Sequence, residues 1–165
     1  MKYWLCKTEP STYSIDDLKK DGSTPWTGIR NYQARNYMRD EMSQGDAVII
    51  YHSNAEPPAA VGIAVVSSDG PIADETAFDK RSDGYDPKSE KDAPTWLCVE
   101  LKFVEKFVKA IPLADLRKNP KLKDMLLLQK GTRLSVTPVS QKDFKEIIRM
   151  STTSKSMNRI PELQA

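Results

Sequence analysis

The chain has 165 residues, 39% of them apolar and 29% charged, and a net charge of +2. That is the size and balance of one ordinary globular domain. No run of 18 or more apolar residues is available to cross a membrane, and one histidine with two widely separated cysteines offers no zinc-binding pattern. The charge is uneven: residues 69–92 carry eight acidic and four basic side chains, residues 101–165 six acidic and fourteen basic. A basic half beside an acidic loop can form a one-sided positive surface for phosphates, or simply a solvated one.

In chain order, Lys2–Lys7 alternates loosely and ends in the polar turn Thr8-Glu9-Pro10-Ser11, which predicts a first strand rather than a signal peptide. Ser14 followed three residues later by Asp17 resembles a capping box and opens a short helix over 15–20. Thr24–Arg30 is a loop with proline, glycine and an isolated tryptophan. Asn31 caps a second helix over 32–42, whose buried face is Ala34, Tyr37, Met38 and Met42. Strands follow at Ala47–Ser53 and Ala59–Ser67, the second uncharged and buried on both sides or closing a barrel. Residues 68–93 form one long loop, of the kind that is usually functional or mobile. Thr95–Lys109 is a long strand that can bend, Ile111–Leu116 and Leu122–Leu128 are short helices, and Arg133–Val139 is a last strand. Ser140 with Asp143 starts a final helix to about Met150, and residues 151–165 are a polar tail. Cys6 and Cys98 lie in apolar strand-like runs and are expected as reduced core thiols.

Five or six strands with short helices and no β-α-β alternation predict an α+β fold: a partly closed antiparallel β-barrel flanked by short helices.

Two stretches could carry function. In Trp26–Arg35, a tryptophan on a Pro/Gly loop can offer a π face on which a base stacks, a contact of about 1–3 kcal/mol. Asn31 and Gln33 match the donors and acceptors of base edges, and Arg30 and Arg35 add charge near a helix start suited to phosphate. The same stretch reads equally well as Trp26 lidding the core with Arg35 and Arg39 in solvent. In Tyr51-His52-Ser53-Asn54, a strand end groups imidazole, hydroxyl and amide, as a base reader or as local turn bonding. Catalytic signatures are missing: no G-x-S-x-G, HExxH or P-loop occurs.

Three blocks resemble the EVE family of small PUA-like domains: Tyr3–Pro10 with Tyr13–Leu18; Trp26–Asn36 running on to Gly45-Asp46 and Tyr51–Asn54; and Gly131–Val139. The resemblance covers about residues 2–150, and 55–60, with Pro57-Pro58, is its least family-like part. It implies a PUA-like barrel, close to the domains that read methylated adenine in RNA, and a pocket for one flipped, modified base such as methylated or hydroxymethylated cytosine. The implied pocket falls on Trp26, Arg30, Asn31, Arg35, His52, Ser53 and Asn54, with Lys7 and Ser135 at its edge. The expectation is a monomeric, non-enzymatic binder of DNA or RNA with no cofactor, no metal and no membrane contact, in the cytoplasm, or in the nucleus of a eukaryote. The competing expectations are a small hydrolase using Lys7 with Glu9 or His52, and a metabolite-binding barrel.

Overall fold

Alternation of apolar side chains along Tyr3–Thr8 (β1) sends Tyr3 and Leu5 to one face and Trp4 and Cys6 to the other, and both sets are buried. A strand covered on both faces needs layers on both sides, and that requirement organises the molecule. The computed structural model describes residues 1–151. The expected polar tail falls, from residue 152 on, outside the described residues.

After β1 come α1 (Ile15–Asp21), the short strand β2 (Ser23–Pro25) and α2 (Tyr32–Asn36), which continues as a π-helical turn over Tyr37–Glu41. β3 (Ala47–His52) and β4 (Ala59–Val66) follow. The small strands β5 (Ile72–Ala73) and β6 (Leu97–Cys98) pair with each other. β7 (Glu100–Pro112), α3 (Leu113–Lys118), β8 (Val136–Val139) and α4 (Gln141–Met150) complete the described chain.

The main sheet has six strands in the order β2-β7-β4-β3-β1-β8. It is α+β, as expected, with one difference: β1 and β3 run parallel, because the chain crosses over through α1, β2 and α2 before returning. Tyr3, Leu5, Ile49 and Tyr51 pack toward Leu116, Leu122, Phe144 and Ile147 on one side. Trp4, Cys6, Val48 and Ile50 pack toward Ile15, Leu18, Trp26, Ala34 and Met38 on the other.

Local chemistry sets the element ends. Ser14 and Asp17 form both bonds of the capping box, whereas Ser140 only accepts from the Asp143 N–H. Gly62 sits where β4 meets β7: a Cβ there would collide with the Glu105 carbonyl oxygen and lie 2.8 Å from the Ile15 side chain. The buried Asp46 accepts from Trp4 Nε1 at 3.0 Å and from the Lys2 N–H at 2.8 Å, fixing the entry to β3 against β1.

Five expected elements change. The strand expected over Thr95–Lys109 is two: β6, paired with β5 in a second sheet, and β7 in the main sheet. Ile111 and Pro112 extend β7, because a residue before proline is held extended, and the helix begins at Leu113. Leu122–Leu128 is not one helix but part of two 3-10 turns, Pro120–Leu122 and Leu126–Leu128. Three consecutive leucines give no helical stripe, and only the middle one is buried. The last strand starts at Val136 rather than Arg133. The loop over 68–93 contains β5 and a 3-10 turn, Glu75–Phe78, capped by Asp74.

Candidate nucleic-acid interface

β1 and β3 end side by side, with Lys7 opposite Tyr51 and Thr8 opposite His52. The Lys7 N–H donates to the Ser135 carbonyl at 2.8 Å, and the Ser53 N–H donates to the Thr8 carbonyl at 3.0 Å. The strand end is thereby clamped from both sides, and the Lys7 side chain projects between two hollows that it helps to line.

The first hollow is a recess of about 240 Å³ between the end of β1 and the loop after β2, walled by Trp26, Pro25, Ile29, Tyr13 and Lys7. The Trp26 backbone N–H donates to the Val99 carbonyl at 2.9 Å, and its ring meets Tyr13 edge-on with centroids 6.2 Å apart. Trp26 is only 5% exposed, so it is a core residue that gives one strip of indole to the recess, not a platform standing in solvent. Burial pushes the Tyr13 hydroxyl up to about 12, aided by its hydrogen bond to Asp21, so it stays a neutral phenol. Burial pushes the Lys7 ammonium below its ordinary value. Among the described residues that ammonium forms no ion pair and no hydrogen bond, which leaves three donors at the recess wall.

The second hollow is a wider groove of about 510 Å³, lined by Lys7, Ser53, Asn54, Arg117, Lys130 and Thr132 among others. Asn54 has φ +48 and donates from Nδ2 to Glu9 Oε1 at 2.7 Å, which fixes the turn out of β3.

Thus Lys7 and Trp26 come together in the recess, and Lys7, Ser53 and Asn54 in the groove. Arg30, Asn31, Arg35, His52 and Ser135 line neither of these hollows. Arg30 donates to Asp74 Oδ2 and to the Gly84 carbonyl, each at 2.8 Å, and to Thr76 Oγ1 at 2.9 Å. Arg35 donates to the Thr95 carbonyl at 2.7 Å and stacks 5.0 Å from the ring centroid of Tyr32, which itself lies on Trp96. Arg30 therefore binds the loop after Trp26 to the long acidic loop, and Arg35 binds α2 to Thr95 just beyond it. Asn31 Oδ1 accepts from the Ala34 N–H at 3.0 Å as the helix cap. His52 Nε2 accepts from the Ile15 N–H at 3.1 Å, so that nitrogen carries no proton.

Sequence reasoning did not assign Tyr13, Thr24 or Ile29 to the recess, nor Arg117, Lys130 and Thr132 to the groove. Tyr13 precedes a capping box and looks local. Thr24 and Ile29 flank Trp26 in the chain and follow from its placement, whereas Arg117, Lys130 and Thr132 reach Lys7, Ser53 and Asn54 only through the tertiary fold, which no spacing along the chain encodes.

Both thiols and the titratable groups named beside Lys7 are inert or already engaged. Cys6 is wholly buried, with its thiol pushed far up by that burial, and Cys98 is pushed up to about 12, so neither supplies a thiolate. His52 already uses Nε2, and Glu9 is held by Asn54.

Residues 2–150 match the EVE domain family. Human thymocyte nuclear protein 1 is 35% identical over 167 residues, covering 90% of this chain and 73% of that protein. A protein from Leishmania major superposes with TM-score 0.87 at 44% identity, over 92% of this chain and 94% of that one. The human THYN1 protein, solved in complex with DNA containing 5-methylcytosine, superposes with TM-score 0.84 at 34% identity, over 93% of this chain and 99% of that one.

Proposed function

This chain belongs to the EVE domain family, and from that premise we propose that it is a non-enzymatic nucleic-acid-binding module that holds one flipped, modified base in the recess between Trp26 and Lys7. The observation that carries the reading is the likeness, across nearly the whole chain, to a protein solved with 5-methylcytosine-containing DNA. The leading ligand class is accordingly cytosine methylated or hydroxymethylated at C5, in DNA.

The recess suits that task physically. Its volume of about 240 Å³ is below the roughly 300–1,000 Å³ of sites that enclose whole drug-sized molecules, and it matches one planar group. Trp26, Pro25 and Ile29 give apolar contact for a ring and a C5 substituent, and the Lys7 ammonium faces a base's carbonyl edge as donor. Extraction of the base from the stack costs a few kcal/mol, to be offset by stacking of about 1–3 kcal/mol and by backbone contacts. One buried methyl changes affinity by about 10- to 200-fold at most, so the preference for the modified base is bounded at that scale.

Such a module works wherever its host keeps DNA: the cytoplasm of a bacterium, or the nucleus named in the human relative. Among the described residues no helix is long and apolar enough to cross a membrane. The test is binding of the purified protein to otherwise identical oligonucleotides carrying single modified or unmodified bases, at stated salt. Tighter binding to C5-modified cytosine is expected. Equal affinity for every base, with no dependence on salt, overturns the reading and favours a small metabolite.

A further inference from the structure

We propose that the groove beside the recess is the track for the phosphodiester backbone of the DNA strand that delivers the base, held by Arg117 and Lys130; this rests on the base-binding reading above. The groove is lined by three cations, Lys7, Arg117 and Lys130, and by no acidic side chain. What sets them apart is that they converge on one concavity with no carboxylate among its lining residues. Lys2, Arg30, Arg39, Arg81, Lys106, Lys121 and Arg149 each sit within 4.0 Å of a carboxylate. Among the described residues Lys7, Arg117 and Lys130 do not. Three like charges gathered in one concavity repel one another, and an anion relieves that repulsion.

The neighbouring groups suit phosphate oxygens. The Ser53 and Thr132 hydroxyls line the same groove and donate to no described residue, so they remain free to bond to an acceptor. Gly131, at φ +83, turns the chain so that Lys130 and Thr132 flank the groove, a backbone conformation that glycine adopts without strain. Tyr51 and Leu127 supply apolar floor for sugar faces.

Lys7 lines both hollows, so a strand lying in the groove passes the mouth of the recess. Continuity is what base flipping needs: the extruded base stays attached to a backbone gripped outside the pocket. The division of labour follows. The groove fixes position and supplies affinity without reading sequence, and the recess discriminates.

The probe is a short DNA duplex with one 5-methylcytosine, titrated between roughly 50 and 200 mM salt, beside its unmethylated twin. The variant is Arg117→Gln/Lys130→Gln; both side chains are exposed, and a thermal melt at the wild-type temperature is the control that it folds. Each lost phosphate contact lowers the slope of log affinity against log salt by about 0.9. The double variant should therefore lose nearly two units of slope while the ratio of methylated to unmethylated affinity is unchanged. An unchanged slope, with wild-type binding intact, overturns the groove assignment alone. An equal fall from Lys19→Gln/Lys142→Gln, which removes the same charge away from the groove, also overturns it. Failure of the wild-type protein to bind either duplex at low salt overturns the base-binding reading and the groove with it.

Discussion

Arg30 and Asp74 meet at 2.8 Å across 44 residues of sequence, and Asp74 is 1% exposed. The same carboxylate accepts from the Gly28 N–H at 2.8 Å and from the Thr76 N–H at 3.0 Å. One aspartate thus holds both the loop that follows Trp26 and the start of the acidic loop. Burial alone would raise the Asp74 pKa; the hydrogen bonds from Arg30, Thr76 and Gly28 outweigh it and leave the group below its ordinary value. A carboxylate lowered in the folded state adds stability that is present above its unfolded pKa and is lost as pH falls through the folded one. Asp74→Ala should cost about 3 kcal/mol, the low end for breaking a buried pair, since the Arg30 side chain keeps 23% exposure. Urea denaturation at neutral pH measures that loss, and the same series below pH 4 should show the gap between variant and wild type narrowing.

This clasp marks the limit of what the sequence discloses. Strand and helix positions follow from alternation and caps, so β1, α1, β3, β4 and α4 were legible to within a residue or two. The family blocks were legible as well. The role of Arg30 was not: nothing local distinguishes an arginine aimed at solvent from one aimed at a carboxylate 44 residues away. Asp74 is one of eight acidic residues in 69–92, and its burial is set by tertiary packing alone. The parallel β1–β3 pair was hidden for the same reason, since the short β2 and α2 obscure the crossover.

The half-buried His52 should give the fold a second acid sensitivity. Burial lowers its pKa, opposed by Asp16 and assisted by Lys106. Protonation is also disfavoured because Nε2 must accept from the Ile15 N–H at 3.1 Å. The unfolded chain therefore takes up the proton first. Stability is full above the unfolded value of 6.5 and is lost as pH falls from there through the folded value. Melting temperature should drop between pH 7.5 and pH 5.5, and His52→Gln, which has an acceptor but no titration, should flatten that drop. An equal drop in both proteins would assign the sensitivity to other groups.

Trp26 belongs to the core as much as to the recess, so its variants must be read on two axes. Trp26→Ala should cost about 3–5 kcal/mol of stability, as for other buried tryptophans. It should also lower affinity for the modified base, at the low end of the roughly 1–3 kcal/mol of a full stack, because only a strip of the indole reaches the recess. Trp26→Phe retains an aromatic wall and should lose less on both axes. Affinity measured well below both melting temperatures separates the two effects. Wild-type affinity in a folded Trp26→Ala protein would remove the indole from the binding site.

Asn31 tests how far the recess extends along the chain. Its Oδ1 is committed to the Ala34 N–H at 3.0 Å, and the residue lines neither hollow, although Ile29 does line the recess. Loss of that cap in Asn31→Ala should cost about 1 kcal/mol. Asn31→Asp keeps an oxygen in the capping position, and aspartate caps as well as asparagine, so its stability should match wild type. The two variants share one further property: both lack the Nδ2 donor, which bonds to no described residue and is therefore free to meet a base edge. Preference among bases should be the same in wild type, Asn31→Ala and Asn31→Asp if Trp26 and Lys7 bound the reading site, and that is the outcome we expect. Thermal melts run beside the oligonucleotide panel give both readouts from one set of proteins. A shifted preference in Asn31→Asp at wild-type stability would place Nδ2 on the base itself and extend the site past Ile29 to the helix start.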